Sequence, residues 1–96
     1  MSTYIALASW TPEGIKAVGN AADRLDAVKK LMADMDCHYQ SIHMTMGEYD
    51  LILIYAPDDA VAARLTLQIA KQGFVRTKTL KAFPEQALRE IVKSLD

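Results

Sequence analysis

The sequence predicts an α+β fold built on a four-stranded antiparallel sheet. Three observations predict it. Strand-like and helix-like stretches alternate in the order β-α-β-β-α-β-α. Pro, Gly, Asn and Asp punctuate the chain between them. One apolar run, Leu51-Ile52-Leu53-Ile54, has no polar alternation and so reads as a strand buried on both faces.

The elements follow in order. Thr3–Ser9 is short and carries Thr, Tyr and Ile, which favour a pleated surface. Thr11-Pro12-Glu13 opens a helix, since threonine accepts from orphan backbone N–H groups and proline tolerates the first helical position. Gly19-Asn20 reads as a break, with Asn20 capping a helix from Ala21 to about Met35. There Leu25, Val28, Met32 and Met35 recur at helical spacing. Cys37–Met46 reads as the second strand, Gly47-Glu48-Tyr49 as a turn, and Asp50–Ala56 as the third strand. Pro57-Asp58-Asp59 starts the next helix, whose inner stripe is Val61, Leu65 and Ile69; Gly73 closes it in a left-handed cap. Phe74–Phe83 is the fourth strand. Pro84-Glu85 opens a last helix with Leu88, Ile91, Val92 and Leu95 on one side.

This order is that of a ferredoxin-like βαββαβ fold with a C-terminal helix, one domain across residues 1–96. Right-handed crossovers place the first and third strands at the centre and both crossover helices on one face. The other face is left open, although the third strand has no polar side. A second copy packing there resolves the conflict, so a homodimer or larger assembly is expected. With the first and third strands taken to run one way and the second and fourth the other, Trp10, His38, Tyr55 and Arg76 gather at one sheet end. Tyr4, Tyr49, Asp50 and Lys81 gather at the opposite end, roughly 20 Å away. On that reading Asp50 and Arg76 pair only between subunits.

Composition narrows the function classes. A net charge of −1 with 24% charged residues offers nothing to a polyanion, so nucleic acid is not an expected partner. The hydrophobic fraction of 51% is high for so small a body, which again favours self-association. One cysteine, Cys37, forms no intrachain disulfide and suits a reducing, cytoplasmic setting; no secretory signal or membrane-spanning run is apparent. Phosphate loops, dinucleotide fingerprints, zinc spacings, nucleophile elbows and RNA-recognition strand motifs are all missing. No metal and no cofactor are expected.

Several residues are candidates for a site. Tyr4, Ala6 and Ala8 of the first strand and Val75, Thr77 and Thr79 of the fourth form mixed faces. The second strand alternates Ile42, Met44 and Met46 with Ser41, His43 and Thr45. If these sets share a face, they make a shallow trough with polar edges. His43 is either a general base or ligand contact, or a strand histidine bonded at a subunit interface. His38, five residues away, is expected on the opposite strand face, which argues against a shared metal. Cys37 lies about 20 Å from His43 along the strand, too far for a nucleophile pair. Trp10 stacks on a flat ligand or caps the core. Arg76 binds a carboxylate or phosphate, or makes a surface ion pair. Tyr49-Asp50 is an acid–phenol pair or a turn in which Asp50 accepts backbone hydrogen bonds and Tyr49 rests on a neighbouring subunit or on the first strand near Tyr4. Asp58-Asp59 is helix-start chemistry, and the methionines fill the core.

The chain resembles the GYD domain family. The resemblance is carried by Thr3-Tyr4-Ile5, by Trp10 to Lys16 (WTPEGIK), by Met46-Gly47-Glu48-Tyr49-Asp50, by Ala56-Pro57-Asp58-Asp59 and by Gly73-Phe74-Val75-Arg76-Thr77 leading into Thr79 to Phe83. It implies a small bacterial or archaeal protein with a ferredoxin-like, dimeric α/β-barrel fold, and it implies no particular reaction. The family pattern commonly has a glycine before the second strand, where this chain has Asp36-Cys37. Two functions follow. One is a small-molecule binding or sensing module acting as a homo-oligomer. The other, by analogy with related barrels, is a small cofactor-independent enzyme of the oxygenase or isomerase kind. An open cleft favours the first, and a closed cavity with an inward polar group the second.

Overall fold

A computed structural model describes residues 3–95. The elements are β1 (Thr3–Trp10), α1 (Pro12–Lys16), a 3-10 turn (Val18–Asn20), α2 (Ala21–Asp34), β2 (His38–Met44), β3 (Leu51–Ala56), α3 (Asp59–Ala70), β4 (Val75–Ala82) and α4 (Glu85–Lys93). The strands form one antiparallel sheet in the spatial order β2-β3-β1-β4. This is the expected α+β, βαββαβ-like arrangement.

Local chemistry starts and stops these elements. The Thr11 side chain caps α1 by accepting from Gly14 N–H, with Pro12 at the first helical position. Asp58 caps α3 by accepting from Val61 N–H at 2.9 Å. Gly73 adopts φ +81° after α3, where a side chain would be strained. Asp36 also lies in the left-handed region, at φ +57°. The chain must turn there, and aspartate is among the few residues other than glycine that tolerate the conformation. Asn20 departs from expectation. Its side chain caps nothing, because its backbone is already in the 3-10 turn that runs directly into α2.

Strand directions differ from the sequence reading. β1 is antiparallel to both β3 and β4, and β2 is antiparallel to β3. A strand-helix-strand crossover returns β2 parallel in direction to β1, and the hairpin then reverses β3. The ends of the sheet are therefore composed differently. Tyr4 lies opposite Tyr55 and Lys81, with His38 opposite Ala56 at the same end. Trp10, Tyr49, Asp50 and Arg76 share the other end, since Ser9 faces Arg76 and β3 begins at Leu51, opposite Ala8. Asp50 and Arg76 are thus on the same end of one chain, although they form no ion pair among the described residues.

A bulge between Tyr39 and Ser41 resets the faces of β2. His38 stands opposite Ala56 and His43 opposite Ile52, so both histidines face the same side of the sheet, contrary to the expectation from their odd spacing. They remain about 13 Å apart along the strand.

The core lies between the sheet and α2 with α3. Met32 and Leu65 are fully buried, and Tyr4, Ala6, Leu53, Tyr55, Ala62 and Cys37 complete it. Burying a side chain such as Leu65 or Met32 contributes about 1.5–3 kcal/mol. The opposite sheet face carries Ile5, Leu7, Ile52 and Ile54, each only half-buried, with Leu80 exposed. α4 packs closely on no other element among the described residues, and Leu88, Ile91, Val92 and Leu95 are all exposed. The molecule is elongated, 52 × 31 × 18 Å, with a Cα radius of gyration of 14.8 Å. A compact chain of this length has about 13 Å.

Candidate functional site

The register answers which candidate residues share a face. Ala6 faces Thr79, Ala8 faces Thr77 and Trp10 faces Val75; Ile42 and Met44 face Leu53 and Leu51. These side chains lie on the helix-covered face. The trough therefore exists on β1 and β4, roofed by α2 and α3. His43 is not part of it, because the bulge turns it to the other face, where its Nε2 lies 3.2 Å from Ser41 Oγ.

Small side chains at Ala6, Ala8 and Ala21 leave a half-open cavity of about 110 Å³ between sheet and helices. Leu25 and Val28 of α2, Ile69 of α3, Leu53 of β3 and Thr77 of β4 contribute to its wall. Trp10, Phe74, Arg24 and Gln72 also line it. Arg24 is its only charged lining residue among the described residues. The guanidinium donates from Nη1 to Ala17 C=O at 2.9 Å and lies 4.4 Å from the Phe74 ring centroid. Arg24 and Gln72 carried no motif, and the folding of α2 over the sheet brings Arg24 to the cavity, whereas Phe74 comes beside Trp10 through the pairing of β1 with β4.

The segments around Trp10 and Gly73 are knitted into one corner. Thr11 N–H donates to Phe74 C=O at 3.1 Å, and Thr11 Oγ1 donates to Gly73 C=O at 2.6 Å. Gly14 packs against this corner so closely that a Cβ there would stand 1.9 Å from the Phe74 carbonyl oxygen. It would also stand 3.1 Å from Trp10 Cδ1. Trp10 is therefore packed against α1 at Gly14.

Tyr49-Asp50 serves the same end of the sheet. The Asp50 carboxylate accepts the Trp10 backbone N–H at 3.0 Å, beyond the end of the β1–β3 ladder. Asp50 N–H donates to Ala8 C=O at 2.9 Å, and Asp50 C=O accepts from Thr45 N–H at 2.8 Å. Thr45 Oγ1 bonds the Tyr49 carbonyl. Tyr49 is half-buried with Lys78 Nζ 5.9 Å from its ring centroid. It does not rest near Tyr4, which the strand directions place at the far end. Arg76 is exposed.

At that far end, Tyr4 donates its phenolic hydrogen to Asp59 Oδ1 at 2.5 Å, and Lys81 Nζ reaches both Asp59 oxygens at 3.1–3.2 Å. The bond to Asp59, with partial loss of water, pushes the Tyr4 phenol up to about 12, while Tyr4 and Lys81 hold the Asp59 carboxyl below its ordinary value. Asp58 caps α3 and Asp59 is the acid of its first turn, as expected; that Asp59 also accepts from Tyr4 was not legible from its position in sequence. Thr79 Oγ1 is buried without a hydrogen-bond partner, beside a shallow depression lined by Tyr4, Asp59 and Thr66. Cys37 is buried and its thiol is pushed up by loss of water, which disfavours the reactive thiolate. No group of three His, Cys, Asp or Glu side chains is placed to hold a metal among the described residues.

Fold and site together define a small α+β protein with an apolar cavity between an antiparallel sheet and its two crossover helices. The chain belongs to the GYD domain family, which it matches over residues 4–92. It is 31% identical over 86 residues to a glutamine synthetase and cystathionine beta-lyase binding protein of Thermus thermophilus, covering 88% of this chain and 90% of that protein. No solved structure matches it. No helix among the described residues is long and apolar enough to cross a membrane.

Proposed function

We propose that this protein is a binding module that works as a homo-oligomer, takes a small apolar molecule between its sheet and helices, and docks on a protein partner. The observation that carries this reading is the half-open cavity floored by Ala6 and Ala8. Its wall is apolar, and its lining pairs no acid with a base among the described residues. That supports binding over the cofactor-independent enzyme reading, since acid–base chemistry needs a titrating group within reach of the substrate.

Docking on a protein is supported by the named binding role of the Thermus relative and by the exposed apolar stripe of α4, which packs closely on no other element among the described residues. The half-buried isoleucines and leucine on the helix-free sheet face support self-association. Two measurements test the proposal. Native mass spectrometry of freshly purified protein should reveal an oligomer with a retained small molecule. Calorimetric titration into glutamine synthetase and cystathionine beta-lyase of the same organism should give saturable heat with at least one. A ligand-free monomer that binds neither enzyme would defeat the reading.

A further inference from the structure

The charge arrangement at the mouth of the cavity narrows its ligand class, given the binding reading above. Arg24 is the fourth residue of α2, near the helix end where the dipole is positive and disfavours a cation. No carboxylate among the described residues pairs with it. Guanidinium has five N–H donors, and the bond to Ala17 C=O uses one. The Phe74 ring and the Ala17 carbonyl nonetheless fix its position at the cavity lining. A fixed, unneutralised guanidinium beside a positive helix end is an anion site in both charge and geometry.

The rest of the lining asks for the opposite chemistry. Ala6, Ala8, Leu53 and Val28 offer nothing to a polar group. Trp10 and Phe74 add aromatic surface to the lining. At about 110 Å³ the cavity is smaller than the apolar cavity of about 150 Å³ known to hold benzene, so it takes at most a single ring that extends through its open side. We infer that the cavity takes a small aromatic monocarboxylate, its ring on the alanine floor beside Trp10 and its carboxylate on Arg24. A phosphate ester or a dianion is disfavoured, because one guanidinium among apolar walls neutralises a single charge.

Trp10 is the chain's single tryptophan and reports directly on the cavity. Its fluorescence should be titrated with benzoate and phenylacetate, and with their neutral amides. The acids should bind at least about tenfold more tightly than the amides at low salt. That preference should shrink as potassium chloride rises, since it is electrostatic. Arg24→Gln should bring acid and amide within about twofold, and Arg24→Lys should keep part of the preference. If the arginine variants do not fold, the salt dependence of the wild-type preference decides alone. Equal binding of acids and amides would overturn the carboxylate assignment and leave the cavity a ring site. Failure of all four probes at millimolar concentration would overturn the small-molecule reading with it.

Discussion

Asp50 completes the hydrogen bonding at the open end of β1. Trp10 lies two residues past the last β1–β3 pair, so its N–H has no strand partner on that side, and the carboxylate supplies one at 3.0 Å. Asp50→Asn keeps the shape but weakens a charge-assisted bond, and the amide nitrogen can present a donor to a donor. We expect a loss of about 1–3 kcal/mol in thermal melts. Tyr49→Phe should change melting little, because Lys78 lies over the ring rather than at the hydroxyl. Unchanged melting for Asp50→Asn would remove the structural role and make this turn a candidate contact for ligand or partner. Arg76 stands at the same end and is exposed, with no ion pair among the described residues.

At the scale of elements, α1 exists to close one corner. Five residues cannot hold a helix by backbone hydrogen bonding alone, because nucleation costs more than so few bonds return. Thr11 supplies what is missing: it caps α1 and bonds both Gly73 and Phe74. Gly14 allows the contact, since its missing Cβ would collide with the Phe74 carbonyl at 1.9 Å. Gly14→Ala should therefore cost at least about 1–3 kcal/mol despite alanine's better helix propensity. Chemical denaturation of the variant checks this, and a gain in stability would show that α1 is free to move away from β4. The same corner holds Trp10 over the cavity, so the variant should also change the tryptophan emission of the folded state.

On the scale of the whole molecule, two apolar surfaces lack a cover: the sheet face bearing Ile5, Leu7, Ile52 and Ile54, and the outer stripe of α4. Burying exposed apolar area of this kind favours association against the cost of ordering two molecules. We expect sedimentation at micromolar concentration to give a dimer or larger species, with an interface of roughly 1,200–2,000 Å² or more. Ile54→Lys should shift it to monomer while leaving the helix-side core intact. A wild-type monomer at that concentration would defeat homo-oligomeric action.

The sequence by itself determined what depends on neighbours along the chain. Helical periodicity located α2 and α3 with their buried Met32 and Leu65, and the turn chemistry of Thr11, Asp58 and Gly73 marked where elements begin or end. Residues quoted from Tyr4 to Phe83 carried the family. Only the tertiary structure decided which distant residues meet. Strand direction depends on how a crossover returns, and an error there exchanges the two ends of the sheet, as it did for Tyr49, Asp50 and Arg76. A single bulged residue in β2 reverses every side chain beyond it, which removed His43 from the trough and set it on the same face as His38. Arg24 carries no local signal at all; it reaches the cavity beside Phe74 only because the small residues of β1 let α2 roof a space that larger side chains would have filled.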